Sequence, residues 1–233
     1  MGGLGFPVWH DIAINIKKMT EIKKRPLKWL FTRLCLQSKI VLTMTGLLIL
    51  CGAVGFFLLE FNNPETMGDM NLLEKMTASL FQSVTTRTAG FATVPQGDLR
   101  ESSKLLGCML MFIGGSPAGT AGFARKIDNN IVRSGITITM ITLIFLMSGI
   151  TALTIFEPGI DFLDLTYEAA SAMGTVGLTA DLTPILSRGS HVILMILMYV
   201  GRIGPLTMAL ALSGRSDKIS KFRELPEENV MLG

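Results

Sequence analysis

Apolar residues in this chain fall in long unbroken blocks, not in the alternation of a strand or the one-sided stripe of a soluble helix. Ile40 to Leu59, Leu105 to Ala124 and Gly135 to Phe156 carry no charge, and Gly189 to Gly214 carries only Arg202. About 20 apolar residues in a helix cross ~30 Å of hydrocarbon, so four spans are predicted. Two further stretches, Glu74 to Thr86 and Phe162 to Met173, read as helices too short to cross. The pattern predicts an all-α membrane protein.

Composition agrees: of 233 residues 49% are hydrophobic and 17% charged. That excludes a secreted disulfide scaffold and a nucleic-acid binder, and makes the lipid bilayer the first partner. The net charge of +3 hides an alternation. Fifteen Lys and Arg residues precede the first span, follow the last, or lie between the second and third. The other two loops hold five, with eleven carboxylates. Basic loops stay in the cytoplasm, so both termini are expected there. Lys17 to Lys39, with apolar residues interspersed, reads as a cytoplasmic amphipathic segment against anionic lipid. Cys35, Cys51 and Cys108 are scattered and read as small core residues. No cleavable leader is read at the start. Trp9, Trp29, Tyr167 and Tyr199 read as markers of the membrane interface.

The outer loops repeat. Thr88-Ala89-Gly90-Phe91 follows the first short helix, and Thr175-Val176-Gly177-Leu178 follows the second, 87 residues later. The same offset aligns Ile113-Gly114-Gly115 with Val200-Gly201-Arg202, and Thr120 with Thr207, the signature of a duplication. Gly2-Gly3-Leu4-Gly5-Phe6-Pro7 resembles Gly201-Arg202-Ile203-Gly204-Pro205, which reads as the end of an earlier span in a longer repeat protein. The unit is thus span, half-helix, glycine loop, span. A half-helix entering from outside aims its partial negative charge at the membrane centre, which favours a cation there. Glycine permits backbone angles that let carbonyls line a passage, and carbonyls can replace an ion's hydration shell. The Thr88 and Thr175 hydroxyls can add oxygens. The alternative is two re-entrant loops with packing glycines.

These residues resemble the Trk/Ktr/HKT potassium transporters. Phe81 to Phe91 is similar to the family's third pore loop, and Ile113 to Gly122 to the loop-forming segment of the following span. Tyr167 to Thr179 is similar to the fourth pore loop, Tyr199 to Thr207 to the arginine-bearing last span, and Leu225 to Gly233 to a Ktr-type C-terminus. The closest subtype is the membrane subunit of the Ktr system. The resemblance implies two span–half-helix–filter-loop–span repeats of the potassium-channel-like pore type, third and fourth of four in a pseudo-fourfold ring. On that reading, residues 1–39 end a preceding repeat and form a linker, 40–124 are one pore repeat, and 125–133 a short cytoplasmic link. Residues 134–214 are the second repeat and 215–233 a cytoplasmic tail. It implies K+ uptake past filter carbonyls at Thr88, Ala89, Gly90, Phe91, Thr175, Val176, Gly177 and Leu178. It implies Na+ as a coupling or activating ion, no covalently bound cofactor, a homodimer, and a cytoplasmic nucleotide-binding regulatory ring of the KtrA type. After Gly122 the chain departs from the family pattern, running directly from Phe123-Ala124 into Arg125-Lys126.

The run Gly114, Gly115, Ser116, Pro117, Ala118, Gly119 and Thr120 cannot hold a continuous helix, because interior glycine costs about 1 kcal/mol and proline about 3. It reads as a gate loop beneath the filter, or as close helix packing through small residues. Arg202 stands in an otherwise uncharged stretch, where an arginine costs roughly 2.5–3.5 kcal/mol unless it faces a polar interior. It is either a fixed charge on the ion path or a structural arginine bonded to carbonyls. Arg87 either braces the first loop or meets Glu74 or Asp98. His10 and His191 are single and are assigned no chemistry. The enzyme alternative, an intramembrane hydrolase using Ser116 and His191, leaves the repeated loops unexplained; a non-conducting fragment that needs a partner half stays open.

Overall fold

A computed structural model of the chain describes residues 6–21, 34–115 and 129–204. All regular structure among these is helical: α1 (Phe6–Glu21), α2 (Leu36–Glu60), α3 (Leu72–Thr85), α4 (Glu101–Gly115), α5 (Asn129–Phe156), α6 (Phe162–Met173) and α7 (Arg188–Ile203). Helices α2 and α5 run 25 and 28 residues, about 37 and 42 Å at 1.5 Å per residue. Both contain apolar stretches long enough to cross a membrane, Val41–Glu60 and Ile136–Phe156. On α2, Leu47, Leu50, Val54 and Leu58 are exposed while Phe56 and Glu60 on the other face are buried. On α5, Met140, Ile144 and Met147 point out while Leu146, Ile150 and Leu153 point in. Apolar stripes this long have lipid as their natural surroundings.

Helices α4 and α7 begin 87 residues apart and, as described, run 15 and 16 residues, too short to span on their own. The expected continuations of both spans, to Ala124 and Gly214, lie outside the described residues. So does most of the basic linker after α1. Helix α1 itself was not anticipated; Asp11 on it accepts the Cys35 N–H at 2.9 Å, fastening α1 to the start of α2.

The half-helix packs differently in the two repeats, against both neighbouring helices in the second and chiefly against the preceding helix in the first. In the first, α2 lies along α3 and α4; in the second, α7 packs on α6, and α5 on both. Helix α4 of the first repeat also packs on α6 of the second. The α6 side is the larger core, with Leu165, Tyr167, Ala169, Ala170, Ala172 and Met173 all buried. The α3 side is open: Leu72, Leu73, Met76 and Leu80 are exposed, while Lys75, Ser79, Gln82 and Ser83 are buried.

A carboxylate at the end of the first span of each repeat fixes the start of the second. Glu60, fully buried, accepts the Arg100 N–H at 3.0 Å, Asn63 Nδ2 at 2.6 Å and Thr66 Oγ1 at 2.6 Å. Glu157 accepts the Ser187 N–H at 2.7 Å and Ser190 Oγ at 2.7 Å. Arg100 and Ser187 obey the 87-residue offset, whereas the two glutamates are 97 apart because the first repeat has a longer turn, 61–71, before its half-helix. A carboxylate at a helix N-terminus satisfies N–H groups with no partner inside the helix and complements its dipole. The hydrogen bond from the Ser187 N–H, followed by those from the Ser187 and Ser190 side chains, holds the Glu157 carboxyl below the usual carboxylate range.

Of the three cysteines, Cys108 is buried as expected, but Cys35 and Cys51 are exposed and are not core residues. Tyr167 is not an interface marker: it is fully buried, whereas Tyr199 is exposed. Trp29 lies outside the described residues.

Candidate functional site

Each half-helix ends where its glycine loop begins. Helix α3 stops at Thr85, and the Ala89 and Gly90 N–H groups both turn back to the Thr85 carbonyl, at 3.2 and 3.4 Å. Helix α6 stops at Met173, and the Thr175 and Val176 N–H groups turn back to Ala172 and Ser171, at 3.1 and 2.9 Å. The loops then adopt one unusual backbone pattern. Thr88 and Thr175 have φ of 69° and 51°, and Gly90 and Gly177 have 74° and 90°. Ala89, Phe91, Val176 and Leu178 are not among the positive-φ residues. Left-handed φ costs a residue with Cβ roughly 1–2 kcal/mol, so a threonine held there twice, 87 residues apart, is a constrained feature of both loops. Alternating φ sign also has a directional effect. An ordinary extended chain turns successive carbonyls to opposite sides; reversing φ at every second residue rotates alternate peptide planes, so successive carbonyls can face one side.

The two loops meet. A Cβ at Gly90 would collide with the Val176 carbonyl oxygen, and one at Gly177 would come within 3.9 Å of the Gly90 Cα. Each loop is held from behind. Thr85 Oγ1 donates to the Phe91 carbonyl at 2.6 Å and accepts the Phe91 N–H at 2.9 Å. In the second repeat that position is Ala172, and the buried Glu168 carboxylate serves instead. It accepts the Thr179 hydroxyl and, at 3.1 Å, the Ala180 N–H. The Thr88 hydroxyl oxygen is buried and has no hydrogen-bond partner.

Sequence reasoning missed a cross-repeat cluster. Gln96, 2% exposed, lies on the irregular segment leaving the first loop. Its Nε2 donates to the Val94 carbonyl at 2.7 Å and to Gln82 Oε1 at 3.2 Å. Its Oε1 accepts Gln82 Nε2 at 2.5 Å and the Tyr167 hydroxyl at 2.9 Å. Two further links join the repeats: Lys104 Nζ to Asp164 Oδ1 at 2.5 Å, and the Gly97 N–H to Asp181 Oδ2 at 3.4 Å. These partners lie 60 to 84 residues apart and share no local motif, so no sequence pattern announces them.

Gly114 and Gly115 end helix α4; Ser116, Pro117, Ala118, Gly119 and Thr120 lie outside the described residues, and with them the gate loop. Arg202 lies in the last turn of α7. With Glu168, Ser171, Thr175 and Thr183 it lines a cavity of about 440 Å³ beside the second loop. Its neighbour Gly201 is a close-packing residue: a Cβ there would strike the Met173 carbonyl oxygen at the end of α6. Arg87 meets neither Glu74 nor Asp98; its Nη1 donates to the Thr45 carbonyl of α2 at 3.1 Å. His191 Nδ1 bonds to the Ser187 carbonyl at 2.8 Å. Among the described residues no group of three or more His, Cys, Asp or Glu is placed to hold a metal ion.

Comparison with known proteins gives a consistent set of matches. The model of a family described as a cation transport protein, TrkH, matches residues 1–140 and 123–222. The chain is 34% identical over 258 aligned residues to the Ktr system potassium uptake protein B of Bacillus subtilis, covering all of this chain and 54% of the relative. It is 31% identical over 265 to the potassium/sodium uptake protein NtpJ of Enterococcus hirae, covering all of this chain and 55% of that protein. It is 32% identical over 258 to the Ktr system potassium uptake protein B of Vibrio alginolyticus, again over the whole chain and 53% of the relative. The chain spans about half the length of the curated relatives it matches.

Proposed function

The chain belongs to the TrkH family of cation transport proteins, and from that premise we propose that its two glycine loops form half of a potassium-selective filter in an uptake protein of the cytoplasmic membrane. The observation that carries the reading is the recurrence of alternating φ at Thr88–Phe91 and Thr175–Leu178 in two touching loops, each at the C-terminal end of a half-helix. A desolvated cation needs several oxygens at once, and carbonyls facing one side supply them. The C-terminal ends of α3 and α6 add partial negative charge. The partnerless Thr88 hydroxyl is a further oxygen free to coordinate. Two relatives named as potassium uptake proteins and one as a potassium/sodium uptake protein support potassium as the transported ion.

In this reading potassium enters from outside, sheds water at the carbonyls, passes the segment 114–120 and Arg202, and is driven by about 2.3 kcal/mol per 100 mV. Arg202 beside the second loop opposes cation passage until its surroundings change. Both termini lie in the cytoplasm, the chain crosses four times, and residues 40–124 and 134–214 are the pore repeats. A homodimer, Na+ as coupling or activating ion, and a nucleotide-binding regulatory ring docked on the cytoplasmic side complete the proposal. The open apolar face of α3, against the enclosed α6, favours a ring completed by further pore repeats.

The test is growth on low potassium of a bacterium lacking its own uptake, with the chain alone and with the first half of the Bacillus subtilis relative co-expressed. Rescue by either supports the reading; rescue only with the added half identifies the chain as a partner-dependent half-pore. Rescue by neither, with both polypeptides present in the membrane, refutes it.

A further inference from the structure

Gln82, Gln96 and Tyr167 form a buried polar hub where the polar inner face of α3 meets the apolar core around α6. Gln82 and Tyr167 are fully buried, Gln96 is 2% exposed, and the Tyr167 ring lies against Gly107 of α4. The orientation of the hub is determined. The Val94 carbonyl can only accept, so it fixes Gln96 Nε2 toward itself and turns Oε1 to the Gln82 amide and the Tyr167 hydroxyl. The hub reaches three pieces of backbone. Gln82 lies on α3 one turn before its end, and Gln96 lies on the irregular segment leaving the first loop. Tyr167 stands on α6 of the other repeat.

A core selected for stability alone has no need of this hub. Replacing all partners of a buried polar network by well-packed apolar residues of the same volume can be nearly neutral or stabilising. What the hub supplies is register, because the four bonds form at only one relative placement of the three segments. The second repeat lacks a copy: the 87-residue offset puts Ala169 and Thr183 where the first has Gln82 and Gln96. The strut is therefore specific to the first loop and to its seam with α6.

We infer that the Gln82–Gln96–Tyr167 hub is a positioning device that sets the spacing between the two glycine loops and thereby the discrimination of potassium from sodium. The inference rests on the filter reading above. Carbonyl oxygens suited to potassium are too widely placed for sodium only while the loops keep their separation, so loosening the seam relaxes selectivity before it abolishes transport.

The experiment compares potassium and sodium uptake by whichever form rescues growth, the chain alone or with its co-expressed half. Tyr167→Phe removes one hydroxyl and keeps the ring, and Gln82→Met keeps volume and removes the amide. Each is expected to lower the potassium-to-sodium uptake ratio by roughly three- to tenfold, the scale of one lost buried hydrogen bond. The double variant is expected to fall little further, because both act through Gln96. Ile138→Ala, a change at a buried position of α5 outside the core cluster that holds Tyr167, Val176 and Leu178, controls for lost stability; an equal fall in the ratio there overturns the inference. So does an unchanged ratio in Tyr167→Phe and Gln82→Met while Gly177→Ala shifts it. If Gly177→Ala also leaves the ratio unchanged, or no form transports, the filter reading falls and the hub falls with it.

Discussion

The paired glutamates at the ends of α2 and α5 make the same contact in unequal surroundings, and that inequality predicts unequal costs. Replacing Glu60 by glutamine keeps the shape and removes one acceptor oxygen. In the native protein Oε1 takes the Arg100 N–H and Oε2 takes Asn63 Nδ2 and the Thr66 hydroxyl. Thr66 can reverse its hydroxyl to accept from an amide, but the Arg100 N–H and Asn63 Nδ2 can only donate. Either orientation of the new amide thus leaves one obligate donor facing an NH2 group in a site with no exposure. One charge-assisted bond lost and one buried donor orphaned cost about 2–4 kcal/mol. At about 2–4 °C per kcal/mol for a chain of this size, the melting temperature should fall by roughly 5–15 °C. Glu157→Gln removes the matching contact where water can replace it, and should fall far less. The assay is thermal unfolding of the purified chain in detergent, with hydrogen exchange at the α4 and α7 N-termini. Equal losses for the two variants, or no loss for Glu60→Gln, would refute the assignment of the clamp and its burial.

Gly90→Ala should reduce potassium uptake by at least about tenfold with the protein still in the membrane, because a Cβ there meets the Val176 carbonyl and left-handed φ adds roughly 1–2 kcal/mol; near-normal uptake would show that the loops do not act at this contact. Lys104→Met should cost about 1–3 kcal/mol by stranding Asp164, and the double change Lys104→Met/Asp164→Asn should recover part of it, read as a double-mutant cycle in melting temperature. Because the Glu157 carboxyl titrates below its usual range, its contribution is fully present above the unfolded-state value and is lost as pH falls through the lowered folded-state value; the protection of amides at the start of α7, measured relative to their intrinsic exchange rate at each pH, should therefore fall only on acidification below the usual carboxylate range, and in Glu157→Gln that dependence should vanish.

The two long helices α2 and α5 and the two short helices before the glycine loops were legible because hydrophobic length and glycine spacing are local properties of the chain. Phe162–Met173 is the helix expected, and Leu72–Thr85 begins two residues earlier than expected, where the Glu74 carboxylate caps the Asn71 N–H at 2.9 Å. The 87-residue offset recurs in the backbone angles at Thr88 and Thr175 and in the starts of α4 and α7. The glutamate clamps escaped it because the turn 61–71 breaks the offset. Aligning the ends of the spans, where Leu59-Glu60 parallels Phe156-Glu157, would have found them. Tyr167 was misread because an aromatic near a loop fits the membrane interface by composition, whereas its burial depends on Gln96, 71 residues away. For Arg87 the sequence leaves two readings open, bracing the first loop or meeting Glu74 or Asp98; the acceptor is the Thr45 carbonyl on α2, 42 residues away, which no local pattern announces.

The central claim is that the paired glycine loops select potassium, and the most direct measurement is the potassium-to-sodium uptake ratio of Gly177→Asp beside the unmodified protein in the form that rescues growth. The account predicts that a side-chain carboxylate beside the Gly90 contact abolishes potassium preference while the polypeptide still reaches the membrane. Undiminished potassium-selective uptake by Gly177→Asp would contradict it.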